Sequence, residues 1–250
     1  MADPHTPAPR PDPSPDPEPL TRPEPTHLRR SPAHGMTAEM DAASVAGPAG
    51  VQLREIAFAP QLGIRAAPGS ASASRIERAL GVSLPSGVGE TTGDPDALHC
   101  VWISPDEFLT IDVSRTHVHG GHVKGEHVPG GHMHGGLVHG EAGAVAAVLE
   151  DDRPGAGRLP GQVVDLSGNR AILELTGPSA RAVLEKGGHV DLHPRAFPVG
   201  HAVSTLVGPV PMIVHRAQEE TFRLLPRSSF AQYTVRWLTD AMLEFRTISA

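Results

Sequence analysis

Cysteine is nearly missing from this chain. Cys100 stands alone among 250 residues, which excludes an intramolecular disulfide and leaves any cysteine-based zinc site short of ligands. Such a composition suits a reducing, cytoplasmic compartment. Also lacking is a run of about eighteen apolar residues, the length a membrane-spanning helix requires, so no membrane partner is expected; residues 1–10 carry no apolar export core. Basic charge is short as well: the formal net charge is −7, and no cluster of Lys and Arg could displace counterions from a phosphate backbone, so no nucleic-acid partner is expected. Three catalytic signatures are absent too. No Gly-Lys-Ser/Thr closes the glycine-rich stretch 81–93, no Gly-x-Ser-x-Gly elbow presents a nucleophile, and no His-Glu-x-x-His pair offers zinc ligands.

What is there divides into four segments. Residues 1–50 alternate Pro with Asp, Glu, Ala and Ser, as in Pro11-Asp12-Pro13-Ser14-Pro15. They lack the apolar side chains that could offset ordering entropy, so a disordered tail is expected. Residues 51–115 read as a first α+β subdomain. Val51, Leu53, Leu62, Ile64 and Ala66 alternate with polar or small residues, as half-buried strands do. Ser74 and Glu77 fit a capping box, Ile76 and Leu80 share a helical face, and Gly81 suits the left-handed residue that ends a helix. Leu98, Cys100 and Trp102 alternate on one strand face, and a second strand at 108–113 follows a turn at 104–107, predicting a hairpin.

Residues 116–140 are His and Gly in irregular repeats, which predicts a flexible insert. Residues 141–246 form the second α+β subdomain. A short helix near 144–149 precedes strands at 162–166 and 171–176, joined by Gly168-Asn169 as a hairpin. Gly177-Pro178 opens a helix that Lys186-Gly187 closes, and three strands follow at 201–206, 210–214 and 221–225. A long last helix starts at Ser229, is boxed by Gln232 and turns Phe230, Trp237, Leu238, Ala241 and Phe245 inward. The order predicts an α+β fold of two packed, ferredoxin-like layers of antiparallel sheet and helix.

Candidate chemistry is thin. Cys100, on an apolar strand face, reads as a small core residue rather than a nucleophile. The insert offers His117, His119, His122, His127, His132, His134 and His139 as weak metal candidates, because neutral imidazoles bind zinc, nickel or copper. Its glycines leave no preformed geometry. Asp165, Ser167 and His193 could be drawn as a hydrolase set, and His189, His193 and His201 as metal ligands. Turn, cap and loop hydrogen bonding accounts for them better, as it does for Asp191, Arg227 and Ser228. No catalytic, cofactor-binding or metal residue is assigned.

Four stretches carry a family resemblance. They are Trp102-Ile103-Ser104-Pro105-Asp106-Glu107-Phe108-Leu109, then Val164-Asp165-Leu166-Ser167-Gly168-Asn169-Arg170, then Lys186-Gly187 with Asp191-Leu192-His193-Pro194, and finally Leu225-Pro226-Arg227-Ser228-Ser229-Phe230-Ala231 followed by Trp237-Leu238 and Glu244-Phe245. In this order they resemble the gamma subunits of heterotetrameric sarcosine oxidases, which are related to the folate-binding aminomethyltransferase fold. The resemblance spans roughly 51–113 and 141–246. It implies an oxidase that demethylates sarcosine to glycine with oxygen, forming hydrogen peroxide and 5,10-methylenetetrahydrofolate. Alpha, beta and delta subunits are the implied partners, and the FAD, FMN, NAD, zinc and tetrahydrofolate of the complex are implied to sit on them, with none on this chain. The related fold works with a carboxylate in a Gly-Gly-x-x-Asp-Asp context. The comparable stretch here, 208–216, holds no acid, which implies a structural copy. Gly188 stands where the resemblance leads one to expect a cysteine, and neither the tail nor the insert belongs to the pattern. A stand-alone folate-binding or aminomethyltransferase-like protein is the alternative reading, with metal buffering by the insert a third.

Overall fold

The computed structural model describes residues 30–115, 142–150 and 157–246. The histidines of the insert and the first 29 residues of the tail lie outside this range. In chain order the elements are α1 (Thr37–Ala43), β1 (Gln52–Glu55), β2 (Gln61–Arg65), α2 (Ala71–Leu80), β3 (Thr91–Gly93), β4 (Leu98–Ser104), β5 (Glu107–Asp112) and α3 (Ala142–Ala147). There follow β6 (Gln162–Asp165), β7 (Leu173–Thr176), α4 (Ala180–Glu185), β8 (Ala202–Val207), β9 (Val210–Gln218), β10 (Thr221–Pro226), α5 (Ala231–Ala241) and α6 (Leu243–Arg246).

The strands form two sheets, ordered β3-β4-β5-β2-β6 and β8-β9-β10-β7-β1. Their ladders are antiparallel. Counted from β1 and from β6, each half of the chain runs strand, strand, helix, three strands, helix, and the two sheets repeat one order. The first strand of each half, however, pairs in the other half's sheet. Leu53 of β1 lies opposite Leu175 of β7, and Val163 of β6 lies opposite Ile64 of β2.

This exchange corrects two expectations. Strands 162–166 and 171–176 are not a hairpin, and the subdomain limits 51–115 and 141–246 do not follow the sheets. After β6 the Asn169 N–H donates to the Leu166 carbonyl at 2.8 Å, and Arg170 bridges to Arg227 beyond β10, so the short link carries the chain from one sheet to the other.

Side chains alternate across each strand, so both faces of both sheets need cover. Against the first sheet, Ile76 and Leu80 of α2 and Val145 of α3 pack on Leu62, Ile64, Cys100 and Phe108. Against the second, α1, α4, α5 and α6 pack on Leu53, Leu173, Leu175, Phe222 and Leu224. Between the sheets lies a third cluster, built from Ile56, Val101, Leu109, Ile111, Ile172, Ile213 and Leu225. The architecture is helix, sheet, sheet, helix.

Other expectations are corrected locally. The order begins before residue 51: Ala33, Met36, Met40 and Ala43 are buried in the second core, on a helical face whose i, i+4, i+7 spacing the proline-rich composition obscured. Ser70, not Ser74, caps α2 by accepting from the Ala73 N–H at 3.1 Å, and Glu77 instead accepts from Leu84 N–H at 2.9 Å. Gly81 does end that helix, at φ +70°. The last helix has no Ser229 cap. Ser228–Phe230 is a 3-10 turn, Phe230 is 42% exposed, and the helix breaks at Met242 before α6.

Met40 is 1% exposed. Met40→Ala should cost about 2–5 kcal/mol by denaturant titration of the full-length chain, as truncation of a core methionine does. A cost near zero would mean that α1 is not part of the core.

Candidate functional site

The polar residues that do not belong in a core converge between the sheets. Four lie in one transverse row of the second sheet: Arg54 of β1 opposite Glu174 of β7, Glu174 opposite Arg223 of β10, and Arg223 opposite His215 of β9. Glu174 is 5% exposed, Arg223 4% and His215 0%. Both carboxylate oxygens of Glu174 are taken. Arg54 Nε donates to Oε1 at 2.8 Å and Arg223 Nε to Oε2 at 2.9 Å. Arg223 then crosses to the loop ahead of β4, donating to the Pro95 carbonyl and to Asp96 Oδ1 at 3.1 Å. Gln218 Nε2 donates to the other Asp96 oxygen at 2.8 Å. The row therefore ties β1, β7 and β10 together and ties their sheet to the first.

His215 meets His99 of β4 across the interface, with ring centroids 5.1 Å apart and planes tilted by 37°. Burial is the main reason His99 is pushed down to about 4, with Arg223 adding to the effect and the Ala97 carbonyl opposing it. Burial, then His99, then Arg223 hold His215 well below the ordinary histidine range. Both rings are neutral near pH 7. Because the Ala97 carbonyl 3.2 Å from His99 Nδ1 can only accept, the proton sits on Nδ1, and Nε2 is a bare acceptor. Neither ring nitrogen of His215 has a protein partner.

The residues singled out in the sequence fall elsewhere. Cys100 is fully buried and its thiol is pushed up by burial and then by the charge of Glu77, so it is no nucleophile. Ser167 Oγ donates to Asp165 Oδ1 at 2.6 Å inside a turn. His193 serves a separate turn, its N–H donating to Asp191 and its Nδ1 accepting from Arg195 N–H. These contacts do not bring Asp165, Ser167 and His193 together.

His201 packs edge-on against Phe197, and His189 N–H donates to the Leu206 carbonyl. Among the described residues no group of three or more His, Cys, Asp or Glu is placed to hold a metal. Arg227 donates to Asn169 and Ser228 to the Gly168 carbonyl, so both pin the link between sheets. Trp237 is a core anchor: it lies over Gly187 and Gly208, and a Cβ at Gly187 would stand 2.5 Å from its ring.

His99, Glu174, His215 and Arg223 escaped the sequence reading. The available signal was a charge in mid-strand, as in Leu173-Glu174-Leu175 and Phe222-Arg223-Leu224, where the neighbours face the helices and the charge must face the opposing sheet.

These features define an α+β scaffold whose buried polar groups join two sheets. The sequence profile of the sarcosine oxidase, gamma subunit family matches residues 137–244. Sarcosine oxidase subunit gamma of Corynebacterium sp. (strain U-96) is 42% identical over 220 residues, 88% of this chain and 93% of that protein. The Arthrobacter sp. protein of the same name is 43% identical over 222 residues, 89% of this chain and 94% of its own. A chain of the heterotetrameric sarcosine oxidase from Corynebacterium sp. U-96, solved with pyrrole 2-carboxylate, superposes with a TM-score of 0.72 at 40% identity, covering 87% of this chain and 96% of that one. The chain belongs to the sarcosine oxidase gamma subunit family.

The histidine pair makes stability depend on pH in one direction. Folded His99 and His215 bind protons less readily than unfolded histidine, so above about pH 6.5 they have no effect, and below it each costs about 1.4 kcal/mol per pH unit. For His99 the loss levels off near pH 4. His215→Phe should remove roughly one histidine's share of that slope, measured as unfolding free energy between about pH 7 and pH 5. An unchanged slope would show that His215 titrates normally in the folded protein.

Proposed function

We propose that this chain is the gamma subunit of a cytoplasmic heterotetrameric sarcosine oxidase, in which it serves as a structural subunit. The relationship along nearly the whole length of curated gamma subunits carries this reading. The complex would oxidise sarcosine to glycine with oxygen as acceptor, releasing hydrogen peroxide and passing the one-carbon unit to tetrahydrofolate. Its alpha, beta and delta subunits would hold the FAD, FMN, NAD, zinc and folate. The repeated strand order supports a ferredoxin-like, aminomethyltransferase-type description of both layers.

A non-catalytic role rests on the chemistry of β9 and its neighbours. Residues 208–216 contain no carboxylate to accept a proton from an amine. The acid of the same transverse row, Glu174, lies two strands away with both oxygens bonded to guanidinium groups. Among the described residues no helix is long and apolar enough to cross a membrane, which is compatible with the proposed compartment.

Co-expression with candidate alpha, beta and delta chains tests the reading. The full-length chain should co-purify with them in equal amounts by native mass measurement, and only the assembly should make peroxide from sarcosine. A chain that stays monomeric beside those partners and itself turns over a folate substrate would contradict it.

A further inference from the structure

Among the described residues only two phenylalanine, tyrosine or tryptophan rings are exposed, and they are neighbours: Phe230 at 42% and Tyr233 at 47%. They lie three residues apart, where the 3-10 turn Ser228–Phe230 runs into α5. The buried stripe of that helix, Ala231, Val235 and Leu238, faces the core, which leaves Tyr233 and Arg236 on its outer side. Isolated apolar side chains are common on protein surfaces. Adjacent rings left in water, in a chain that buries Phe108, Phe197, Phe222 and Phe245, are a patch.

Arginines border the rings. The Phe230 N–H donates to the Arg227 carbonyl at 2.8 Å, so Arg227 stands one turn before the first ring, and Arg236 stands three residues beyond the second. Arg170 lies directly opposite Arg227 in an isolated antiparallel bridge, an arrangement that sets both side chains on one side of the chain pair and is unfavourable for like charges. Each donates to a neutral acceptor, Arg170 to the Leu225 carbonyl and Arg227 to Asn169 Oδ1, both at 2.9 Å. Among the described residues none of the three arginines has a carboxylate partner. Glu107, whose charge reaches Arg170, is already bonded to Arg65 at 3.0 Å. Burial first, and then the charge of Arg227, hold Arg170 below its usual pKa, so an acid brought to this place is favoured by both cations.

We propose that Phe230 and Tyr233, with the arginines 170, 227 and 236 around them, dock this chain onto a protein partner whose contact surface is apolar at its centre and carries carboxylates at its rim. The partner is a subunit of the proposed oxidase, so the inference rests on that reading. Charge selects the occupant. Aromatic rings and arginine are the side chains that dominate protein interfaces, and a guanidinium group takes a carboxylate through two parallel hydrogen bonds. A second copy of this chain is disfavoured, because a two-fold contact sets the patch against itself and arginine against arginine. The net charge of −7 disfavours a nucleic acid, the other ligand that rings and arginines suit.

Competition tests the surface. Full-length wild-type chain and a tagged variant are co-expressed with candidate alpha, beta and delta chains, and their ratio in the purified assembly is read by peptide mass. Tyr233→Asp should be under-represented by about thirtyfold or more, as a central interface residue is. Arg227→Glu should be excluded at least about tenfold. Because Arg227 also holds Asn169, thermal unfolding of both isolated variants is measured alongside, and the exposed Tyr233→Asp should melt with the wild type. Incorporation of Tyr233→Asp at the wild-type ratio would overturn the inference and leave the subunit reading intact. A dimer of the isolated wild-type chain that Tyr233→Asp abolishes, or an oligonucleotide complex that it abolishes, would overturn it in favour of those occupants. A wild-type chain that enters no assembly would overturn the reading and the inference together.

Discussion

Glu174 is held between two guanidinium groups, and the register of three strands of the second sheet and the placing of Arg223 against the first follow from that contact. Arg54 and Arg223 reach it from the strands on either side, in register, so one buried carboxylate fixes three strands side by side. Arg223 then spans the interface to Pro95 and Asp96. A buried ion pair adds little net stability over a well-packed apolar substitute, but it is unforgiving of the loss of one member. Its contribution here is register: it aligns β10 on β7, and the more exposed Arg54 extends the row to β1, a strand from the other half of the chain.

That strand exchange explains why much of the fold was legible in the sequence and the domain plan was not. Hairpins such as β4-β5 and β9-β10 are local, and alternation with turn residues exposed them. Pairing of β1 with β7 is remote, and no periodicity reports a partner so far along the chain. Gly168-Asn169 carries turn chemistry, and there is a turn, but it changes sheet instead of reversing a strand. Composition misled in a second way at α1, where the dense prolines that precede the helix masked the apolar spacing of Met36, Met40 and Ala43.

The site was the least legible part. Sequence reading looked for exposed nucleophiles, acids and histidine clusters; the structure gives Asp165, Ser167, Asp191 and His193 turn roles and buries Cys100, and the insert histidines lie outside the described residues. The polar groups that matter sit inside apolar strands, where only the three-dimensional stacking of two sheets brings His99 to His215 and Arg223 to Asp96. Those groups suit a subunit whose contribution is a rigid, two-sheet body.

The central claim is that Glu174 and Arg223 act as one unit that aligns the strands of the second sheet and holds Arg223 against the first. A double-mutant cycle with Glu174→Leu and Arg223→Met, read by chemical denaturation of the full-length chain, measures it directly. Each single substitution strips a buried charge of one of its two ionic partners, Arg54 staying with Glu174 and Asp96 with Arg223, and should cost up to about 3–5 kcal/mol, whereas the pair should cost less than their sum by about 1–3 kcal/mol. Strictly additive costs would show that the two residues stabilise the fold independently, and the account would fail.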